Sequence, residues 1–290
     1  MLELDAATGP VVTELAATQL PATQLPADLI LVGGHESGAG SRLRPLLTGD
    51  VRAGEVRAVG VGRELAAAVA GALAASERPV CVVPMTLGRD PRLVADTART
   101  LRWLADQDRP GRIALCDPFG DAAHLIGWLR AAAGRTRATE PDETAVLVSA
   151  PAAGPFEDAE LFRIARLVRQ YRTHRWVEVA FEGGDPGIAE GVERCRRLGA
   201  RQVVVLPAAF GPAPTAPGAE DGGPLLSARA VAGVLRARTA IALDRLRHGE
   251  DGIAAGLGAE HGHGFPHSHG HGPGHGHSHS HTRAHAPSDR

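Results

Sequence analysis

His35 is the residue of this sequence best placed to do chemistry. It follows Leu29-Ile30-Leu31-Val32-Gly33-Gly34, an apolar run that predicts a short strand buried on both faces and closed by a sharp loop. The two glycines remove side-chain bulk where the chain leaves the sheet, so a ligand could approach the backbone closely. A residue just past the carboxyl end of a strand stands where open α/β sheets place their ligands. An imidazole there can hold a divalent metal or move a proton near neutral pH. The other concentration of such chemistry is the C-terminal tail. From Glu260 onward it carries ten of the fourteen histidines, mostly alternating with Gly or Ser. His261, His263, His267, His269, His271, His275, His277, His279 and His281 are the candidate metal ligands. Neutral imidazoles suit nickel, cobalt, copper and zinc, so multisite and geometrically unselective metal binding is expected. A composition of this kind buries no core and predicts disorder without metal.

These groups need a scaffold, and the totals allow one. The 290 residues are 43% apolar, enough for one large α/β domain or two smaller ones, but the core must be built mainly from Val, Leu, Ile and Ala. A formal charge of −2 argues against a dedicated nucleic-acid or membrane-surface binder. All 31 basic residues are arginine, whose planar fork suits carboxylates and phosphates better than lysine does. Cys81, Cys116 and Cys195 are widely spaced in apolar or helical runs and form no CxxC pair, which reads as reduced core thiols. An acidic start with no long apolar stretch carries no export signal and no bilayer span, so a cytoplasmic location is expected.

Residues 1–27, with Ala-Thr-Gln-Leu-Pro repeated at Ala17 and Ala22, read as a flexible leader, since two prolines five apart prevent a continuous helix. Residues 28–134 then alternate strands and helices. Strands are expected near 56–61, 79–84 and 112–116, with helices over 63–75, 92–106 and 122–133. After a polar boundary the pattern restarts over residues 144–248, with strands near 144–149, 176–181 and 202–207. Helices are expected there over 157–172 and 188–198, and a long one over 225–246 packed on the second half. Such alternation indicates doubly wound parallel sheets. The halves overlay: Val80–Pro84 on Val203–Pro207, and Leu29–Val32 on Val146–Ser149. That repeat predicts two similar sheets facing a central cleft. Residues 249–290 complete the chain as the histidine-rich tail.

A duplicated doubly wound fold, a histidine after the first strand and a histidine tract together resemble the class II tetrapyrrole chelatases of the sirohydrochlorin type, the CbiX/SirB group. The similarity covers roughly residues 28–247. It is strongest over Trp176-Val-Glu-Val-Ala-Phe181-Glu182, Gly191 to Gly199, and Ala200 to Pro207, with Val83 to Pro91 as the corresponding strand end and loop of the first half. The resemblance implies insertion of a divalent metal into a tetrapyrrole, which requires dehydrating the ion and removing two pyrrole protons. His35 then takes the family's His-Gly-Ser position, here His35-Glu36-Ser37, as metal ligand or base. Glu36 and Glu182 are the assisting carboxylates, with Glu64 the nearest first-half counterpart of Glu182. Arg42, Arg44, Arg89 and Arg92 are the candidates to clamp the carboxylates of the macrocycle. The family's second histidine, after the third strand, is replaced in the region of Gly88-Arg89-Asp90.

The reading is therefore a chelatase with cobalt favoured and iron or nickel as alternatives. The metal is substrate rather than resident cofactor, no organic cofactor is expected, and the partners are metal ions and a sirohydrochlorin-like tetrapyrrole, without nucleic acid or membrane. The competing reading is a metal store, metal delivery protein or tetrapyrrole carrier that kept the fold and lost catalysis. A third is an unrelated periplasmic-type α/β binding fold.

Overall fold

In a computed structural model the alternating runs form two four-stranded sheets. The structure describes residues 27–48, 56–106, 111–136, 141–171 and 174–259. The leader through residue 26 and the tail histidines from His261 onward lie outside the described residues. The first sheet contains β1 (Asp28–Gly33), β2 (Val56–Gly60), β3 (Val80–Met85) and β4 (Ile113–Leu115) in the order β2-β1-β3-β4. The second contains β5 (Thr144–Pro151), β6 (Trp176–Glu182), β7 (Gln202–Pro207) and the short β8 (Glu220–Asp221) in the order β6-β5-β7-β8. Every pairing is parallel. The helices are α1 (Arg63–Ala75), α2 (Pro91–Ala105), α3 (Ala122–Arg135), α4 (Pro155–Arg169), α5 (Ile188–Arg197), α6 (Ala228–Arg247) and α7 (Ile253–Leu257).

Register makes the repeat explicit. Val32 pairs with Val59 and Pro84, and Ser149 pairs with Ala180 and Pro207. Val32 and Ser149 are thus equivalent, and so are the two prolines. Proline is tolerated at Pro84 because β4 stops opposite Val82, leaving no ladder that needs its missing N–H. By the same register the first-half equivalent of Glu182 is Val61, not Glu64. Glu64 instead accepts a hydrogen bond from the Gly60 N–H at 2.9 Å, within the first turn of α1.

Successive residues of β1 face opposite sides, as a strand requires. Ile30 and Val32 pack with Leu65, Val69, Leu93, Leu101 and Ile253 on the face covered by α1, α2 and α7. Leu29 and Leu31 join a core shared with the second sheet, which takes in Leu125 and Leu129 of α3, Leu161 and Ile164 of α4, and Val231 and Leu235 of α6. α5 closes the far side of the second sheet through Val192 and Cys195. All three cysteines are free and buried.

Two expectations are corrected here. α6 packs on β3 and β4 of the first sheet rather than on the second half, and Arg245 Nη1 reaches Asp117 Oδ1 at 2.7 Å. α3, from the first half, packs in turn on α4 and β7. An amphipathic stripe specifies that a helix has an apolar face but not whose sheet it covers. Second, the tail does not begin at residue 249. Leu115 N–H donates to Asp251 C=O at 2.8 Å, and α7 packs on α2 with Ile253 fully buried. None of the described helices is long and apolar enough to cross a membrane.

Candidate functional site

In the first sheet the strand order reverses between β1 and β3, and the chain leaves these two strands side by side. This is the switch point at which open sheets form ligand crevices. β1 delivers His35 and Glu36 in a 3-10 turn (His35–Ser37), and β3 delivers Thr86 to Asp90. His35 Nδ1 and Asp90 Oδ2 lie 2.9 Å apart. Asp90 is fixed from its other oxygen, because Oδ1 accepts the Leu93 N–H at 3.0 Å and caps α2. Of the two glycines before His35, Gly34 serves this contact. A Cβ on Gly34 would stand 2.1 Å from Asp90 Oδ2, so the space expected for a ligand is filled by the carboxylate that orients the imidazole.

With Nδ1 turned to a carboxylate, the His35 Nε2 lone pair is available, the usual arrangement behind a metal-binding or basic histidine. Nε2 is enclosed and meets no hydrogen-bond partner. Burial disfavours the charged ring, but the Asp90 hydrogen bond and the charges of Glu36 and Asp90 outweigh it, and the His35 pKa lies above its ordinary value. For Asp90, burial acts to raise the pKa, and the bond to and charge of His35 override it, so the carboxyl sits below the usual range.

Glu36 points inward and is fully buried. Its Oε2 accepts the Leu87 N–H at 2.9 Å and the Thr86 hydroxyl, while Oε1 has no partner. Burial pushes its carboxyl up against the opposing pull of Arg89 and these hydrogen bonds. The Glu36 carbonyl accepts from Phe210 N–H at 3.0 Å, which ties the loop to the second half.

The candidate arginines divide into two pairs. Arg44 and Arg92 are exposed. Arg42 grips Glu182 with two contacts, 2.9 and 3.4 Å, so a proposed clamp and a proposed catalytic carboxylate neutralise each other across the halves. Arg89 is not at a cleft mouth. Its side chain is 0% exposed and bonds Asp158 at 3.0 Å and the Glu157 carbonyl at 3.2 Å, with the Phe181 ring 6.0 Å away. A buried guanidinium held by an acid of the other half is a strut, although its Nη1 remains unpartnered.

His35 Nε2, Glu36 Oε1 and Arg89 Nη1 therefore form a set of enclosed polar atoms without partners, carried by neighbouring loops at one switch point. Such atoms in a folded protein call for a reason. Thr86 was missing from the sequence reading as a site member, and Asp90 entered it only as one of two residues, with Glu36, that could compensate for the replaced second histidine. The signal for Asp90 was its place in the Gly88-Arg89-Asp90 loop after the third strand, but as an Asp-Pro helix start it reads first as a cap.

No family model matches the chain. Over 76 residues it is 40% identical to a sirohydrochlorin cobaltochelatase of Priestia megaterium, a stretch that is 26% of this chain. The chain spans about a quarter of the length of that relative in this match (25%). Among solved structures, the sirohydrochlorin chelatase SirB of Bacillus subtilis subspecies spizizenii in complex with cobalt matches with a TM-score of 0.48 and 12% identity, over 77% of this chain and 97% of that one. SirB of Bacillus subtilis with Fe3+ matches with a TM-score of 0.49 and 12% identity, over 79% and 98%. In sequence, over about a quarter of its length, this chain is thus similar to a sirohydrochlorin cobaltochelatase.

Proposed function

We propose that the protein inserts a divalent metal into a sirohydrochlorin-like tetrapyrrole, with the His35 Nε2 lone pair as the reacting group. The observation that carries this reading is the Asp90-oriented imidazole at the switch point of the first sheet. Insertion exchanges two pyrrole protons for one metal ion. The ring, made more basic by Asp90, either accepts one pyrrole proton while the other passes to water, or donates its lone pair to the incoming ion while both protons pass to water. Asp90 stabilises the positive charge that develops on the ring. Cobalt is the favoured metal substrate, by analogy with the Priestia megaterium relative. Exposed Arg44 and Arg92 are the groups left to meet substrate carboxylates. A cytoplasmic place and supply of metal by the histidine tail belong to the same proposal.

One observation favours a second reading, a tetrapyrrole or metal carrier. Glu182 is engaged by Arg42 and Glu36 by Thr86 and Leu87, so two of the three proposed catalytic groups are held in structural contacts. Anaerobic mixing of the protein with sirohydrochlorin and Co2+, followed by absorbance, separates the two. Metallation faster than the protein-free control supports insertion. Tight binding with no gain in rate replaces it with the carrier.

A further inference from the structure

Arg42 is aimed at the junction of the halves by the backbone on both sides of it. Gly38, Ala39 and Gly40 have φ of 58, 53 and 88°, three left-handed residues in a row that turn the chain sharply after the His35 turn. Leu43, fully buried, then pins the segment in the core. Between these anchors the Arg42 side chain crosses to the second half. A Cβ on Gly211 would stand 2.7 Å from Arg42 Cδ, so the stem of the arginine lies against backbone there. The neighbouring Phe210 N–H holds the Glu36 carbonyl at 3.0 Å. One short stretch of the second half thus touches both the His35 turn and Arg42, which puts this guanidinium beside the candidate site.

The head of Arg42 is engaged but not enclosed. Nη2 reaches Glu182 Oε2 at 2.9 Å, and Nη1 reaches Oε1 at only 3.4 Å. The two side chains are 33% and 27% exposed, unlike the fully buried Arg89. An ion pair open to water is weak, and a guanidinium fork accepts any carboxylate of the same shape. Because the backbone on either side is held, only the Arg42 side chain has to turn for its partner to change.

We propose that Arg42 is a carboxylate-exchange site, at which a carboxylate of the tetrapyrrole displaces Glu182 from the guanidinium as the macrocycle is seated. The ligand rests on the insertion reading above; the exchange goes beyond it. Charge at Arg42 is conserved, since one carboxylate leaves as another arrives. Glu182 is then left without its cation, and a carboxylate in that state accepts a proton or a metal ion. Arg42 therefore couples substrate seating to the release of an acid that the substrate-free protein keeps neutralised.

Binding of metal-free sirohydrochlorin to the full chain, followed anaerobically by absorbance, tests this without requiring insertion. Four chains complete the cycle: unaltered, Glu182→Gln, Arg42→Gln and both together. Glu182→Gln removes the internal competitor and should tighten binding by about 5-fold, the equivalent of ~1 kcal/mol for an exposed pair. Arg42→Gln should weaken binding by about 10-fold, the worth of one charge-assisted hydrogen bond. In the Arg42→Gln chain, Glu182→Gln should tighten binding by under ~2-fold, because only general repulsion between acids is then relieved. Equal tightening in both backgrounds means that charge alone is at work, and no tightening in either means that Glu182 never leaves. Each of these results overturns the exchange. A chain that binds sirohydrochlorin and inserts metal, yet gives additive effects, keeps the insertion reading and loses this one; a chain that binds no sirohydrochlorin loses both.

Discussion

The two halves share a strand order and a register, yet among the described residues only the first presents a histidine paired with a carboxylate at its switch point. Positions equivalent to Gly34-His35-Glu36 are Pro151-Ala152-Ala153, and those equivalent to Met85-Thr86-Leu87 are Ala208-Ala209-Phe210. The second half offers backbone and acids instead. Phe210 N–H holds the Glu36 carbonyl, Asp158 and the Glu157 carbonyl hold Arg89, and Glu182 holds Arg42. The repeated frame thus has one half that presents His35 and another that braces its loop, through charge pairs and backbone hydrogen bonds that join the two.

The comparison can be broken first at its deepest brace. Arg89→Ala leaves Asp158 without its buried partner, and removing one member of a buried pair costs about 3–5 kcal/mol; urea unfolding should show a loss of that size, and a loss well under 1 kcal/mol would mean the halves are held by packing alone. His35→Ala should lower metal insertion by about 100-fold or more, within the range of a lost general base, with little change in the unfolding midpoint, since it sits on a loop. Ala152→His, its counterpart in the second half, should not restore the rate, because no carboxylate stands where Asp90 does.

Asp90→Asn should act more mildly, because asparagine still caps α2. The rate should fall by roughly 10-fold, the lower end of positioning effects around a reacting histidine. The pH profile carries the sign. In the proposed reaction His35 acts as the neutral ring, and its pKa is raised, so the rate should climb with pH through a midpoint above the ordinary histidine value, and Asp90→Asn should move that midpoint down. Stability follows the same linkage. A pKa raised by folding contributes stability that is complete below the unfolded value and is lost as pH rises through the folded one. The unaltered chain should therefore lose this contribution on passing through the raised His35 pKa, and the Asn variant should show less loss, by urea midpoints across that range. The smallest effect belongs to Arg42→Ala. Both partners of that pair are partly exposed, at 33% and 27%, so about 1 kcal/mol or less is expected in a double-mutant cycle with Glu182→Ala.

Much of the frame was legible along the chain because it is local. Apolar runs of strand length, the Asp90-Pro91 start of α2, and prolines at matching strand ends depend on neighbours in sequence, and β7 forms over Gln202–Pro207 as expected. The short β8 was hidden in a Pro- and Gly-rich segment, since two residues have no period to detect. His35 could be singled out because strand, glycines and imidazole are contiguous. That Asp90 would be its hydrogen-bond partner could not be read, because the two lie 55 residues apart.

What sequence alone determined, then, is that two similar parallel sheets would form and that the first would present a histidine just past the end of its first strand. Tertiary structure decided what that histidine meets, that Glu36 turns inward, that Arg42 and Arg89 face acids of the other half, and that α3 and α6 each cover the sheet of the other half. The physical reason is common to all four. Periodicity and propensity act over a few residues, whereas charge pairing, burial and helix packing are settled between segments that only the folded chain brings together.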